Sequence, residues 1–369
     1  MLSKYDEMLC HQTPTTFDHV VDSGDNWREN VWICAHDVSG RFFLSSHFGV
    51  SPNRNVMDAS GLLAVDRTTQ YNIRASRELR PRTDEVKVGP LSYNVVEGLK
   101  TIHWQLEENT YGMSWEIEFS AHMPPHEESP QFARSRGRLT ENISRYAQTG
   151  RAKGWLKVDG KTHDIRPTDW FAHRDHSWGV RWQHNLYTEA QGFQPPQRQL
   201  GFLGDWHIFQ FDDWYTCSSL REDHNAQVLH FTGGIVHPYG DPRTEVRLLR
   251  EEHDFELIPG TKLLQGGRMT VIAEDGSRRD IQIRPIAIIY LQAAGYWPYK
   301  GFRLGRWMGP DWIDGERFNI SDPTQMKEVS EAPTFIVECR CGDQVGHGMI
   351  QFGVYGQHAK YAPGKESAV

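Results

Sequence analysis

The 369 residues predict an all-β chain built as two antiparallel halves, and three observations lead there. Short runs rich in Val, Ile, Phe, Tyr and Trp recur along the chain, separated by Gly, Asp, Asn and Pro turns. No stretch shows the alternating strand and helix units of a nucleotide-binding parallel sheet. The third observation is a polar Gln/Pro segment past the midpoint, after which strand-like runs begin again.

In order, the first 24 residues are polar and irregular, broken at Thr13-Pro14-Thr15, and read as an arm or lid. Val31–His36 and Arg41–Phe48 flank the polar turn Asp37-Val38-Ser39-Gly40 and predict a hairpin. Further strands are expected at Leu62–Asp66, Thr69–Ala75, Thr101–Glu107 and Ser114–Ala121. Residues 122–149 turn to Pro, Glu, Arg and Ser, a segment that suits a cap over a pocket mouth or an excursion packed outside it. Within it Leu139, Ile143 and Tyr146 fall at helical spacing and predict one short helix over Arg138–Gln148. Strands resume at Ala152–Val158 and Lys161–Ile165.

Gln191–Gln199 is the expected linker, so the division is 1–190, 191–199 and 200–369. The second part restarts at Trp206–Phe211, Trp214–Ser218, Val228–Phe231 and Gly234–His237. It continues with Thr244–Leu249, Arg268–Ala273, Ile281–Leu291, Thr334–Cys339 and Gly346–Tyr355.

Composition excludes several classes. A net charge of −8 gives no general attraction to nucleic acid or anionic lipid. No run reaches membrane-spanning length and the N-terminus lacks the apolar core of a signal peptide, which predicts a cytoplasmic protein. Five cysteines without C-x-x-C spacing argue against a disulfide framework or a closed zinc site and read as buried thiols. Gly-rich phosphate loops and the Gly-x-Ser-x-Gly elbow are both absent. The 13 tryptophans suit the walls of an apolar pocket, and a hydrophobic small molecule is the expected partner.

The chemistry concentrates in Asp169–Trp182, which holds His173, Arg174, Asp175, His176, Ser177, Trp178 and Arg181. As an extended strand it sends His173, Asp175, Ser177 and Arg181 to one face, and Arg174, His176 and Trp178 to the other. For Asp175 and His176 to share a pocket the strand needs a bulge or twist, and Gly179 is the expected place. His173 and Asp175 have the i, i+2 spacing of two metal ligands, but no third is identifiable, so no metal and no other cofactor is assigned.

Asp175-His176-Ser177-Trp178-Gly179 resembles the Asp-His-x-Trp-Gly signature of the carotenoid 1,2-hydratase group, whose relatives include lipocalin-like Diels-Alderases and a kievitone hydratase. That resemblance implies two successive lipocalin-like barrels with the signature near mid-chain. It also implies a cofactor-independent hydratase or dehydratase acting on an unsaturated apolar molecule such as a terpenoid or polyketide. Asp175, His176, His173 and Arg181 are the expected catalytic residues, with Asp175 or His176 handling the proton. Trp178, Trp206, His207, Trp297 and Tyr355 are the expected substrate-binding residues. A cyclase working by pocket shape, or a carrier without chemistry, are the alternatives.

Overall fold

The structure, a computed structural model, describes residues 2–135, 137–181, 200–322, 326, 329 and 331–363. The first half carries β1 (Trp27–Asp37), β2 (Phe42–Ser51), β3 (Val56–Val65), β4 (Thr69–Glu78), β5 (Lys87–Val88), β6 (Leu91–Glu97) and β7 (Thr101–Leu106). It continues with β8 (Met113–Ala121), β9 (His126–Glu127), β10 (Gln131–Ser135), β11 (Arg138–Val158), β12 (Lys161–Ile165) and β13 (Trp170–Val180). The second half carries β14 (Gly201–Gln210), β15 (Tyr215–Asp223), β16 (Val228–Val236), β17 (Val246–Leu257) and β18 (Leu264–Ala273). After these come β19 (Arg278–Tyr290), β20 (Trp312–Asn319), β21 (Pro333–Cys341) and β22 (Gln344–Gly356).

Two antiparallel units result, as expected for tandem lipocalin-like β structure. The first is a curled sheet in the order β20-β4-β3-β2-β1-β13-β11-β8-β7-β6-β5. Its far edge returns to β4 through a side chain: Arg77 donates from Nε to Lys87 O at 2.7 Å and from Nη2 to Glu85 O at 2.8 Å. The second unit is a closed barrel of β14 to β19, β21 and β22. β20 leaves the barrel half and pairs with β4 along Trp312–Asn319, so the second half completes an edge of the first sheet. The buried Arg74 of β4 fastens it by ion pairs to Asp314 and Glu316.

Strands β1 to β3 are buried on both faces, which explains why they read as near-continuous buried runs. Ile33, Leu44 and Leu63 fill the concave core with Trp104 and Trp115. Trp32, Cys34, Phe43 and Leu62 point the opposite way and join the barrel's core. The two units are therefore packed face to face through a shared apolar layer.

Three sequence expectations are corrected here. Arg138–Gln148 is strand: β11 runs to Val158, pairing first with β13 and then with β8. Its neighbours on both sides supply ladder partners that outweigh the weak helical spacing of three residues. The cysteines are not uniformly buried, since Cys10 is exposed and Cys341 half-buried. Gly179 makes no bulge: β13 stays in register with both β1 and β11 through residues 171–180. The 191–199 linker lies outside the described residues.

Candidate functional site

β13 sits between β1 and β11, and its alternation decides what each side chain of the central motif meets. Trp170 and Ala172 join the concave core of the sheet. Arg174 faces the same way, donating from Nε and Nη2 to Gln148 Oε1 at 3.0 and 2.6 Å. His173, Asp175 and Ser177 point outward into the seam with the barrel. With no bulge to turn the strand, Asp175 and His176 occupy opposite faces and do not share a pocket.

His176 stands at the mouth of the curled sheet. Its Nε2 is 2.7 Å from Glu29 Oε1 and must donate to that carboxylate, so Nδ1 accepts from the Tyr146 hydroxyl at 3.1 Å. Trp178 is 39% exposed and packs edge-on against the same imidazole, with centroids 5.5 Å apart. His173, fully buried in the seam, lies 3.2 Å from His36, Nε2 to Nε2, and 3.0 Å from Thr149 Oγ1. Burial holds both imidazoles neutral and far below the usual histidine range, His36 at about 3.

Around Asp175 the seam is strongly polar. Arg145 of β11 lies between two carboxylates, Nε 3.4 Å from Asp175 Oδ2 and Nη1 3.3 Å from Glu128 Oε2. Glu128 also accepts from Trp206 Nε1 at 2.7 Å, and the Arg145 guanidinium lies 5.8 Å from the Trp206 ring centroid. Ser177 Oγ donates to Asp175 at 3.2 Å and accepts from Arg181 Nη2 at 2.7 Å. Burial raises the Asp175 carboxyl above the ordinary range, an effect that Arg145 and Arg181 oppose. Burial and the neighbouring Arg145 lower Arg181 to about 10. The same charges surround Tyr296, whose hydroxyl burial and the Asp175 charge hold protonated.

This cluster opens onto a cleft of about 200 Å³ between the sheet and the barrel. Trp206, Phe202 and Tyr355 supply ring surface, and Arg145, Arg221 and His230 supply the polar edge. Tyr355 stacks on Phe202 at 4.7 Å and lies 5.7 Å from the Trp297 ring. It also borders a second recess of about 670 Å³ with Leu263, Val354 and Tyr361. Of the nine residues singled out in the sequence, Trp206 and Tyr355 line the cleft, Trp297 buttresses Tyr355, and Asp175 lies behind Arg145 with Arg181 beside it. His173, His176 and Trp178 lie elsewhere, and His207 points into the barrel interior, where its Nδ1 is 3.3 Å from Ser218 Oγ.

Three residues at this site were not legible as such. Arg145 and Glu128 fall in the segment read as a cap or as an excursion packed outside the pocket, and the pairing of β11 with β13 and β9 brings them beside Asp175. His230 stands in an ordinary strand, yet it borders the cleft and its Nε2 has no hydrogen-bond partner among the described residues. Burial and the Arg221 charge depress its pKa, leaving a neutral imidazole.

Residues 2–362 match the model described as a family of unknown function, DUF8625. The chain belongs to that family. No curated protein matches it by sequence. Among solved structures it is similar to an AttH-type protein from Nitrosomonas europaea, at 11% identity and a TM-score of 0.56, covering 91% of this chain and 93% of that one. It is similar also to CghA solved with Sch210972, at 10% identity and 0.52, covering 90% and 89%. Kievitone hydratase from Nectria haematococca aligns at 11% identity and 0.48, covering 89% of each chain. The AttH-type protein and CghA share the fold of this family member over nearly its full length, and its chemistry must be argued from its own side chains.

Proposed function

We propose that this family member is a lyase or cyclase that works on a small, unsaturated and mostly apolar molecule held in the cleft between sheet and barrel. The observation that carries the reading is the meeting, at one ring-walled cleft, of a neutral imidazole whose buried Nε2 has no hydrogen-bond partner among the described residues and a guanidinium anchored by two carboxylates. Trp206, Phe202 and Tyr355 take the apolar body of the substrate. Arg145 holds a carbonyl or hydroxyl oxygen, and Asp175 and Glu128 are the positioning residues that fix its guanidinium.

His230 is the catalytic base. Its Nε2 takes the proton from the carbon next to the carbonyl, and Arg145 stabilises the enolate oxygen that forms. The imidazolium then returns that proton to a departing hydroxyl, which leaves as water; the reverse sequence is hydration. Returning the proton to a different carbon gives double-bond isomerisation or sets up ring closure in the same cleft. The likeness of fold to CghA is compatible with this family of outcomes, and a terpenoid or polyketide is the substrate class we propose for the ring-lined walls.

The test incubates the full chain, and the variants His230→Gln, Arg145→Met and Asp175→Asn, with small-molecule extracts and follows them by mass spectrometry. The wild type should change one species by gain or loss of water, or convert it to an isomer. His230→Gln should cut that conversion by about a hundredfold or more. Asp175→Asn should leave binding intact and shift the pH profile of turnover. Recovery of a bound ligand unchanged would identify a carrier instead, and full turnover by His230→Gln would remove the proposed base.

A further inference from the structure

Inside the second barrel, on the opposite face of β14 from Trp206, lies a group of titratable side chains that the cleft chemistry leaves unused. Asp205 and His207 are two apart on β14, so both point inward, and β17 brings Glu251 to meet them. The candidate ligand atoms of the three lie within 4.8 Å of one another. His207 Nδ1 is 3.7 Å from Asp205 Oδ1 and 3.7 Å from Glu251 Oε2, and all three side chains are fully buried. Ser218 Oγ completes the ring of donors, 3.3 Å from His207 Nδ1 and 2.5 Å from Glu251 Oε2.

Two features make this an unsatisfactory cluster without a ligand. Both Asp205 oxygens and Glu251 Oε1 have no hydrogen-bond partner among the described residues, although buried polar atoms nearly always have one. The two carboxyl groups also lack a salt-bridge partner among the lysines and arginines of the described residues, and the neighbouring His253 is engaged by Glu222 at 3.3 Å.

We propose that Asp205, His207 and Glu251 bind a divalent cation of the zinc class. Two carboxylates and a neutral imidazole cancel a charge of +2, which removes the buried imbalance. Zinc bonds of about 2.0–2.2 Å in a tetrahedron set the ligands roughly 3.3–3.6 Å apart, close to the spacing already present. Three protein ligands leave a fourth position for water. His207 stacks on Phe209 at 4.3 Å, which fixes the plane of its ring. A calcium site would need six or more oxygens, which this set does not supply.

The site is independent of the cleft reaction, and its test reads binding directly. Full-length protein prepared without chelator is titrated with Zn²⁺ against a chromophoric chelator, and its metal content is measured by mass spectrometry. One Zn²⁺ per chain is expected, with Tm falling when a strong chelator removes it. Asp205→Asn and Glu251→Gln should abolish stoichiometric binding, and Ser218→Ala should weaken it about 10- to 100-fold by loosening Glu251. If a carboxamide variant fails to fold, the wild-type titration and Ser218→Ala decide alone. A folded wild type that carries no zinc and takes up none would overturn the proposal, and would leave Asp205 and Glu251 as a carboxyl pair sharing a proton.

Discussion

Acid should loosen the seam between sheet and barrel through one buried histidine pair. His36 Nδ1 donates to Asp37 O at 3.2 Å, so its Nε2 is the acceptor facing His173 Nε2 at 3.2 Å. A second proton on His36 would set two donors against each other in a dry seam, with Arg151 and His347 adding positive charge nearby. Both folded pKa values are therefore depressed, His36 to about 3. The unfolded chain binds protons that the folded chain refuses, so the stability these groups carry is complete above about pH 6.5 and drains as pH falls below it. From pH 7.5 to pH 5 His36 alone loses about 2 kcal/mol by this linkage, and His173 adds to the loss in the same direction. The double variant His36→Leu/His173→Leu removes both partners at similar volume and should lack that loss. Urea unfolding at several pH values between 7.5 and 5 measures both proteins, and the remaining buried groups cancel in the difference. A gap between their pH dependences below about 1 kcal/mol would refute the reasoning.

Two further substitutions test what holds β13 and the seam in place. Gly179 has φ +129°, and a Cβ there would lie 2.0 Å from Asn142 O, so Gly179→Ala should cost at least about 3 kcal/mol in thermal unfolding. Arg28→Met strands the buried Asp58, which Arg28 now holds at 2.5 and 2.9 Å, and should cost about 3–5 kcal/mol in denaturant titration. Adding Asp58→Leu to that variant should recover much of the loss.

The strand pattern was legible because most of these strands have turn residues at both ends. The face assignment within the central motif was legible too, since a strand in unbroken register has no choice about which side chains share a face. What the sequence did not reveal depends on partners distant along the chain. The spacing of Leu139, Ile143 and Tyr146 favours a helix only until β13 and β8 offer ladders on either side of β11. β20 escaped notice because its place is made by β4, more than half the chain earlier. Arg145 and His230 carry no local signature at all: one is a cation in a charged segment, the other a histidine in a plain strand.

His207 shows most clearly how a single step of alternation redirects chemistry. Trp206 and His207 are adjacent, and the sequence treats them alike, as aromatic and imidazole groups near the start of the second half. In the barrel wall they part company. Trp206 turns out to the seam, where Glu128 and Arg145 bind it to the cleft, while His207 turns in beside Asp205 and Glu251. The motif on β13 divides the same way, Asp175 toward the barrel and His176 toward the mouth of the sheet. A strand wall shared by two compartments can thus serve a cleft on one face and a buried polar site on the other. The two sites are then separable by mutation, because side chains on opposite faces of β14 have no common partner: substitutions at Trp206 should disturb the cleft and spare the barrel interior, and those at His207 the reverse.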